Sequence, residues 1–226
     1  MVKKEKKKDD VKKILDFIKN KTKRVYQIIF HEDTALSWIL NLVLAFILVR
    51  FLIYPGLSLI LGTNFPVVTV ITGSMVQEGS FNNWWNSPIN EDITQGEFYE
   101  RYNISINKFK EFPFNRGFNI GDLIILRGKN PEEIEIGDAL VFEASLSKPI
   151  IHRVIDKWKE DGKVYFTTKG DNNNGIISGN DINEEKISSD RVIAVGFLRI
   201  PYIGWVKLGV VNFTQCLIKG EIGITC

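Results

Sequence analysis

Cysteine, histidine and methionine are scarce, with two of each in 226 residues. Cys216 and Cys226 stand close to the C-terminal end and lack metal-ligand spacing, which excludes a disulfide-built scaffold and a cysteine-ligated zinc centre. Two lone thiols are expected there rather than a pair. A large charge of one sign is lacking as well. The net charge is +2, and no folded-looking stretch is strongly basic, which argues against nucleic acid as the main partner.

The charge that is present is unevenly placed. Residues 1–34 hold 11 Lys and Arg against 6 Asp and Glu, a balance of +5, and the remainder carries −3. A basic tail on a mildly acidic body suits a membrane surface. Directly after it, ALSWILNLVLAFILVRFLIYPGLSLILG runs from Ala35 to Gly62 with Arg50 as its only charge. A bilayer crossing takes about 20 mostly apolar residues, so a single membrane anchor is expected over 35–61. Pro55 and Gly56 disfavour a straight helix and leave its far end between Tyr54 and Leu61. A cleaved signal peptide fits less well, because its leading segment would be long and Arg50 interrupts the apolar run. The positive flank puts the N-terminus in the cytoplasm and residues 62–226 outside. Val11, Ile14, Leu15 and Ile18 have helical spacing, so part of 1–34 is expected as a helix.

The outer region consists of short apolar runs rich in Val, Ile, Phe and Thr: 65–72, 122–126, 139–142, 150–155, 163–168 and 191–198. Each has strand length and is bounded by Gly, Asn or Pro. Gly121-Asp122 and Gly137-Asp138 suit tight turns entering strands. The expected fold is mainly β, a barrel or folded sheet. Residues 79–118 break the rhythm and form an insertion, with a helix expected over 94–111 behind the capping pattern Thr94 and Glu97. Trp84 and Trp85 in it are expected in a core. The apolar segment 199–226 is expected as a last strand or a membrane-interfacial piece. The sequons at Asn103 and Asn212 would face outside.

Topology narrows the chemistry. His31 falls on the cytoplasmic side, so any outer site that uses an imidazole must use His152. A serine needs a base within reach and donors for the developing oxyanion. Ser74, in Thr72-Gly73-Ser74-Met75 at the end of an apolar run, is one candidate. Taken alone, Ser74 is an ordinary turn residue, His152 an ordinary strand residue, and Lys169-Gly-Asp-Asn-Asn-Asn174 a polar turn.

In order, these segments lose their anonymity. TGSM after one span, GDALVF leading into PIIHRVI, TTKGDNN, and a late PYIG resemble the type I signal peptidase family. The likeness extends from the anchor to about Gly204 and omits only the insertion. Histidine in IIHRV, where bacterial members typically have lysine, resembles the archaeal and endoplasmic-reticulum branch. The resemblance implies a serine endopeptidase with Ser74 as nucleophile, His152 as general base, and the Ser74 N–H assisted by Thr72 as oxyanion hole. The orienting acid it implies is Asp181 or Asp171, with Asp181 favoured; the family's second Asp position is Ile177 here. No metal or organic cofactor is implied. The implied partners are preprotein signal peptides, the bilayer and the export machinery, at the cell membrane or the reticulum membrane. The alternative is an inactive membrane-tethered β domain that binds peptides or such machinery.

Overall fold

The computed structural model describes residues 14–17, 19–24, 26–28, 34–145, 148–179 and 181–203. His31, Cys216, Cys226, the Asn212 sequon and the C-terminal segment from 204 onward lie outside them. The chain divides into two compact units, Met1–Leu57 and Ser58–Cys226. In the first, the described residues between 14 and 28 are helical, as the spacing of Ile14, Leu15 and Ile18 suggests.

Helix α1 covers Ala35–Leu61, 27 residues long, or about 40 Å at 1.5 Å per residue. Thr34 caps it, its side chain accepting from the Ser37 N–H at 3.2 Å. The proline does not end this helix. Instead the turn at Val49–Ile53 widens to π geometry, with the Tyr54 N–H donating to the Val49 carbonyl. A proline lacks an N–H and crowds the carbonyl four residues back. Widening the preceding turn absorbs both effects and lets the helix run on to Leu61. Large apolar side chains are exposed along its length, among them Trp38, Leu42, Phe51 and Leu59.

The second unit is built on one curled antiparallel sheet of seven strands in the order β1-β2-β7-β3-β4-β5-β6. These are β1 Val67–Thr69, β2 Leu123–Arg127, β3 Ala139–Phe142, β4 Ile150–Glu160, β5 Lys163–Lys169, β6 Ile187–Ser188 and β7 Val192–Ile200. Each apolar run named above yields a strand. β1 is shorter than its run, and the two-residue β6 carries no run of its own. β4 extends past Ile155 because Asp161 (φ 50°) and Gly162 (φ 78°) form a two-residue turn that pairs Glu160 with Lys163. β3 is buried on both faces, which its unbroken apolar sequence ALVF permits. Ala139 and Val141 join a core with Val70, Met75 and Ile124, while Leu140 and Phe142 join another with Val154, Phe166 and Ile187.

The insertion is helical but discontinuous: α2 Phe81–Trp85, α3 Gln95–Glu100 and α4 Ile106–Glu111. The capping box at Thr94 and Glu97 is present. The single helix expected over 94–111 is corrected to two, because Asn103 turns left-handed (φ 58°) and Ser105 caps a new helix. Trp84 and Trp85 are buried with Phe81, Tyr99, Ile104 and Phe109 around Ile155 of β4. Ile155 lies at a register shift between Val154 and Asp156, and such a bulge re-aims side chains. The aromatic cluster is therefore a core of its own, joined to the sheet at β4.

Candidate functional site

Ser74 lies in the turn that follows β1, half-buried, with its Oγ 3.3 Å from the Thr72 Oγ1. Gly73 has no left-handed φ, and a side-chain carbon there would meet only Val76 at 3.8 Å. The turn therefore does not depend on glycine for its backbone. It is held from two other directions. The Val76 N–H donates to the Gly73 carbonyl at 3.0 Å, and Met75 is buried in the sheet core.

The loop after β5 grips the same turn. The Asn172 N–H donates to the Ser74 carbonyl at 2.8 Å, and the Asn172 Nδ2 donates to the Gly73 carbonyl at 3.2 Å. A Cβ on Gly170 would sit 2.7 Å from the Ser74 carbonyl oxygen, so glycine is what permits this approach.

His152 is on β4, opposite Leu140 of β3, and is 3% exposed. Its Nδ1 is 2.5 Å from Glu184 Oε1. Glu184 is fully buried, and its carboxylate has two further donors: Thr168 Oγ1 at 2.8 Å to Oε1 and the Ile177 N–H at 2.9 Å to Oε2. A carboxylate so placed accepts, so Nδ1 carries the imidazole proton and Nε2 is the basic nitrogen. The backbone fixes Glu184 as well, through Thr168 N–H to its carbonyl (3.0 Å) and its own N–H to the Ile177 carbonyl (2.9 Å). Between Ile177 and Glu184 the chain makes a small hairpin, bridged at Ser178 and Asn183.

The two aspartates implied by the resemblance lie elsewhere. Asp181 is exposed near the tip of that hairpin, and its carbonyl accepts from the Ser145 N–H. Asp171 is fully buried but faces Arg153, whose Nε and Nη2 each donate to it at 2.8 Å. Gln77 Nε2 (2.9 Å) and Tyr99 OH (2.8 Å) complete its set of donors. Burial alone would raise the Asp171 pKa, but the Arg153 charge and these hydrogen bonds outweigh burial and hold the carboxyl below its ordinary value. The structure thus brings Glu184 to the imidazole, and neither aspartate. Sequence reasoning missed it because the search for an acid ended at Asp181. Distance along a folded-back hairpin is a poor guide to distance in space.

Arg153 is as fully used. Its remaining N–H groups donate to the carbonyls of Pro113 (2.9 Å), Gly137 (2.9 Å) and Phe114 (2.8 Å), so all five are engaged. Lys169, next to this group and buried, donates to Gln95 Oε1 at 2.7 Å and to the Gly170 carbonyl at 3.0 Å. Desolvation pulls its pKa down to about 8.

The chain has relatives. The chain is 26% identical over 183 residues to the signal peptidase complex catalytic subunit SEC11 of Colletotrichum graminicola, covering 77% of this chain and 80% of that one. To the human signal peptidase complex catalytic subunit SEC11C it is 29% identical over 164 residues, 70% of this chain and 63% of the relative. The SEC11 subunit of Metarhizium acridum shares 33% over 98 residues, 40% of this chain and 55% of the other. No protein-family model matches the chain. On these likenesses the chain is a homologue of proteins named signal peptidase complex catalytic subunit SEC11.

Proposed function

We propose that the protein is a membrane-bound serine endopeptidase that removes signal peptides from exported preproteins. The observation that carries this reading is the His152–Glu184 pair, built beside the loop that grips the Ser74 turn. In the proposed reaction Ser74 Oγ attacks the scissile carbonyl while His152 Nε2 takes its proton. The new C–O bond forms as the carbonyl π pair moves onto oxygen, and collapse of this tetrahedral oxyanion breaks the amide C–N bond while the departing amine receives the proton from the imidazolium. Water, deprotonated by His152, then hydrolyses the ester and frees Ser74. Glu184 holds the tautomer and stabilises the imidazolium, the role of the acid in a serine triad. The Ser74 N–H and the Thr72 hydroxyl stabilise the oxyanion; the placement of Thr72 Oγ1 at 3.3 Å from Ser74 Oγ supports its part.

The substrate segment lies extended beside the nucleophile. Among the described residues β1 is an edge strand, paired only with β2, and it leads directly into Thr72–Ser74. An added strand on such an edge is a common mode of peptide capture. A signal peptide's apolar stretch resides in the bilayer, and α1 is long enough to anchor the enzyme there. The body outside the membrane, the basic segment 1–34 in the cytoplasm, and association with export machinery complete the reading. The alternative of an inactive β domain rests on the altered aspartate spacing and on the insertion over 79–118. Glu184 at Nδ1 supplies the imidazole with an acid despite the altered spacing, which supports the enzyme reading over that alternative.

The test is cleavage of a preprotein by the purified chain in detergent, with the new N-terminus read by mass spectrometry. One cut is expected, directly after a small residue with another small residue two positions before it. Leucine at the residue before the cut should block it. No cleavage, or cleavage indifferent to that leucine, would overturn the assignment.

A further inference from the structure

The insertion does more than decorate the sheet, because it reaches the loop that grips Ser74. Trp84 Nε1 donates to the Asp171 carbonyl at 3.1 Å, and Tyr99 OH donates to Asp171 Oδ1 at 2.8 Å. Gln95 Nε2 donates to the Asn173 carbonyl at 3.3 Å, and Gln95 Oε1 accepts from Lys169. Lys169 at the end of β5 and the three consecutive loop residues 171–173 are thus bound by the insertion or the serine turn. From the other side, the main chain where the insertion ends, at Pro113 and Phe114, accepts from Arg153. Arg153 is the neighbour of His152 in β4, and Asn172, the neighbour of Asp171, holds the Ser74 carbonyl.

We propose that Tyr99 and Trp84 are positioning residues for the Ser74–His152 reaction, acting through Asp171 and Asn172. This rests on the serine-protease reading of Ser74. Asp171 is the joint: its carboxylate is bound to the histidine strand through Arg153, and its following peptide unit is bound to the nucleophile turn through Asn172. Two groups of the insertion fix the joint, one at the carboxylate and one at the carbonyl. Burial and the charge of Asp171 keep the Tyr99 phenol well above its ordinary pKa of 10.0, so it stays a donor across the working pH range. The surrounding rings hold it rigidly, with Phe109 at 4.8 Å and Trp85 at 6.0 Å between centroids. A misplacement of about 1 Å at a reacting group can cost on the order of 100-fold in rate, so a modest shift of the loop suffices to be seen in kcat.

The experiment compares Tyr99→Phe, Trp84→Phe and Tyr102→Phe with the unaltered full chain in detergent, measuring kcat, KM and Tm on one preprotein. Tyr99→Phe deletes only the hydroxyl, and Trp84→Phe deletes the indole N–H. Tyr102 lies in the same insertion and stacks on Phe98, and serves as the control for general loosening. Tyr99→Phe and Trp84→Phe are each expected to lower kcat roughly tenfold with KM within about twofold, while Tyr102→Phe leaves kcat unchanged. Unaltered kcat in both contact variants would overturn the proposal, as would an equal fall in Tyr102→Phe. If Tyr99→Phe fails to fold, Trp84→Phe carries the same decision. A Ser74→Ala control separates the two readings: undiminished cleavage there sinks the protease assignment, and a dead control with normal contact variants sinks the positioning role alone.

Discussion

Glu184→Gln is expected to lower kcat by roughly 10⁴, the size of loss when the acid of a serine triad is replaced by its amide. The reason is specific to this carboxylate. Oε1 accepts from His152 Nδ1 and Thr168 Oγ1, and Oε2 accepts from the Ile177 N–H. An amide has one acceptor oxygen, so in either orientation its NH₂ faces a donor. It either pushes the imidazole toward the wrong tautomer or breaks the hairpin contact at Ile177. The imidazolium that forms when Ser74 gives up its proton also loses its counter-charge. Asp181→Ala, by contrast, removes an exposed carboxylate and should leave kcat within about twofold, since surface substitutions away from partners are usually small. Initial rates on one preprotein decide between them. A Glu184→Gln enzyme near the unaltered rate, or an Asp181→Ala enzyme as damaged, would reassign the orienting acid.

Asp171→Ala is expected to destabilise the Ser58–Cys226 unit by about 3–5 kcal/mol, because it leaves the fully buried Arg153 charge without its partner. That is a large share of the roughly 5–15 kcal/mol by which domains are stable. Asp171→Asn keeps an acceptor and should lose less. The pH dependence follows from the lowered pKa of Asp171. Its pairing stabilises the fold above the unfolded-state carboxylate value, about 3.9, and that stabilisation is lost as pH falls through the lower folded value. Urea midpoints of the full chain in detergent at neutral pH and in steps from about pH 4 down to about pH 2 measure both effects. Equal midpoints for Asp171→Ala and the unaltered chain at neutral pH would contradict the account of this ion pair.

Most of the sheet is readable from residues because its determinants are local. Alternation and β-branched runs mark β2 to β5 and β7, and the Gly-Asp pairs mark their entries. At Gly137, for example, φ is 101° and the Asp138 side chain accepts from the Glu135 N–H at 3.0 Å. β6 escapes notice because two residues carry no period. The end of α1 at Leu61 lies within the expected range, and the π turn at Val49–Ile53, which absorbs what a straight helix cannot, is what the sequence does not announce. The helix expected over 94–111 breaks at Asn103, a residue type that tolerates left-handed backbone but does not announce it.

The site divides along the same line. Ser74 and His152 stand as candidates in the sequence because motif order and one topological argument single them out. Glu184 was not, because its selection depends on a hairpin that folds Glu184 back onto Ile177, and neither propensity nor spacing encodes that return. Nor does any local signal say that Arg153, beside the base, is tied to Asp171, beside the residue that holds the nucleophile turn. The burial of Trp84 and Trp85, by contrast, follows from bulk alone.

The central claim is that Ser74 is the nucleophile of a signal-peptide-cleaving enzyme. Its most direct test is preprotein cleavage by Ser74→Ala, purified in detergent beside the unaltered chain and shown to have the same Tm. The account predicts product from the unaltered chain and none from Ser74→Ala. Cleavage by the alanine variant at the unaltered rate and position would contradict it.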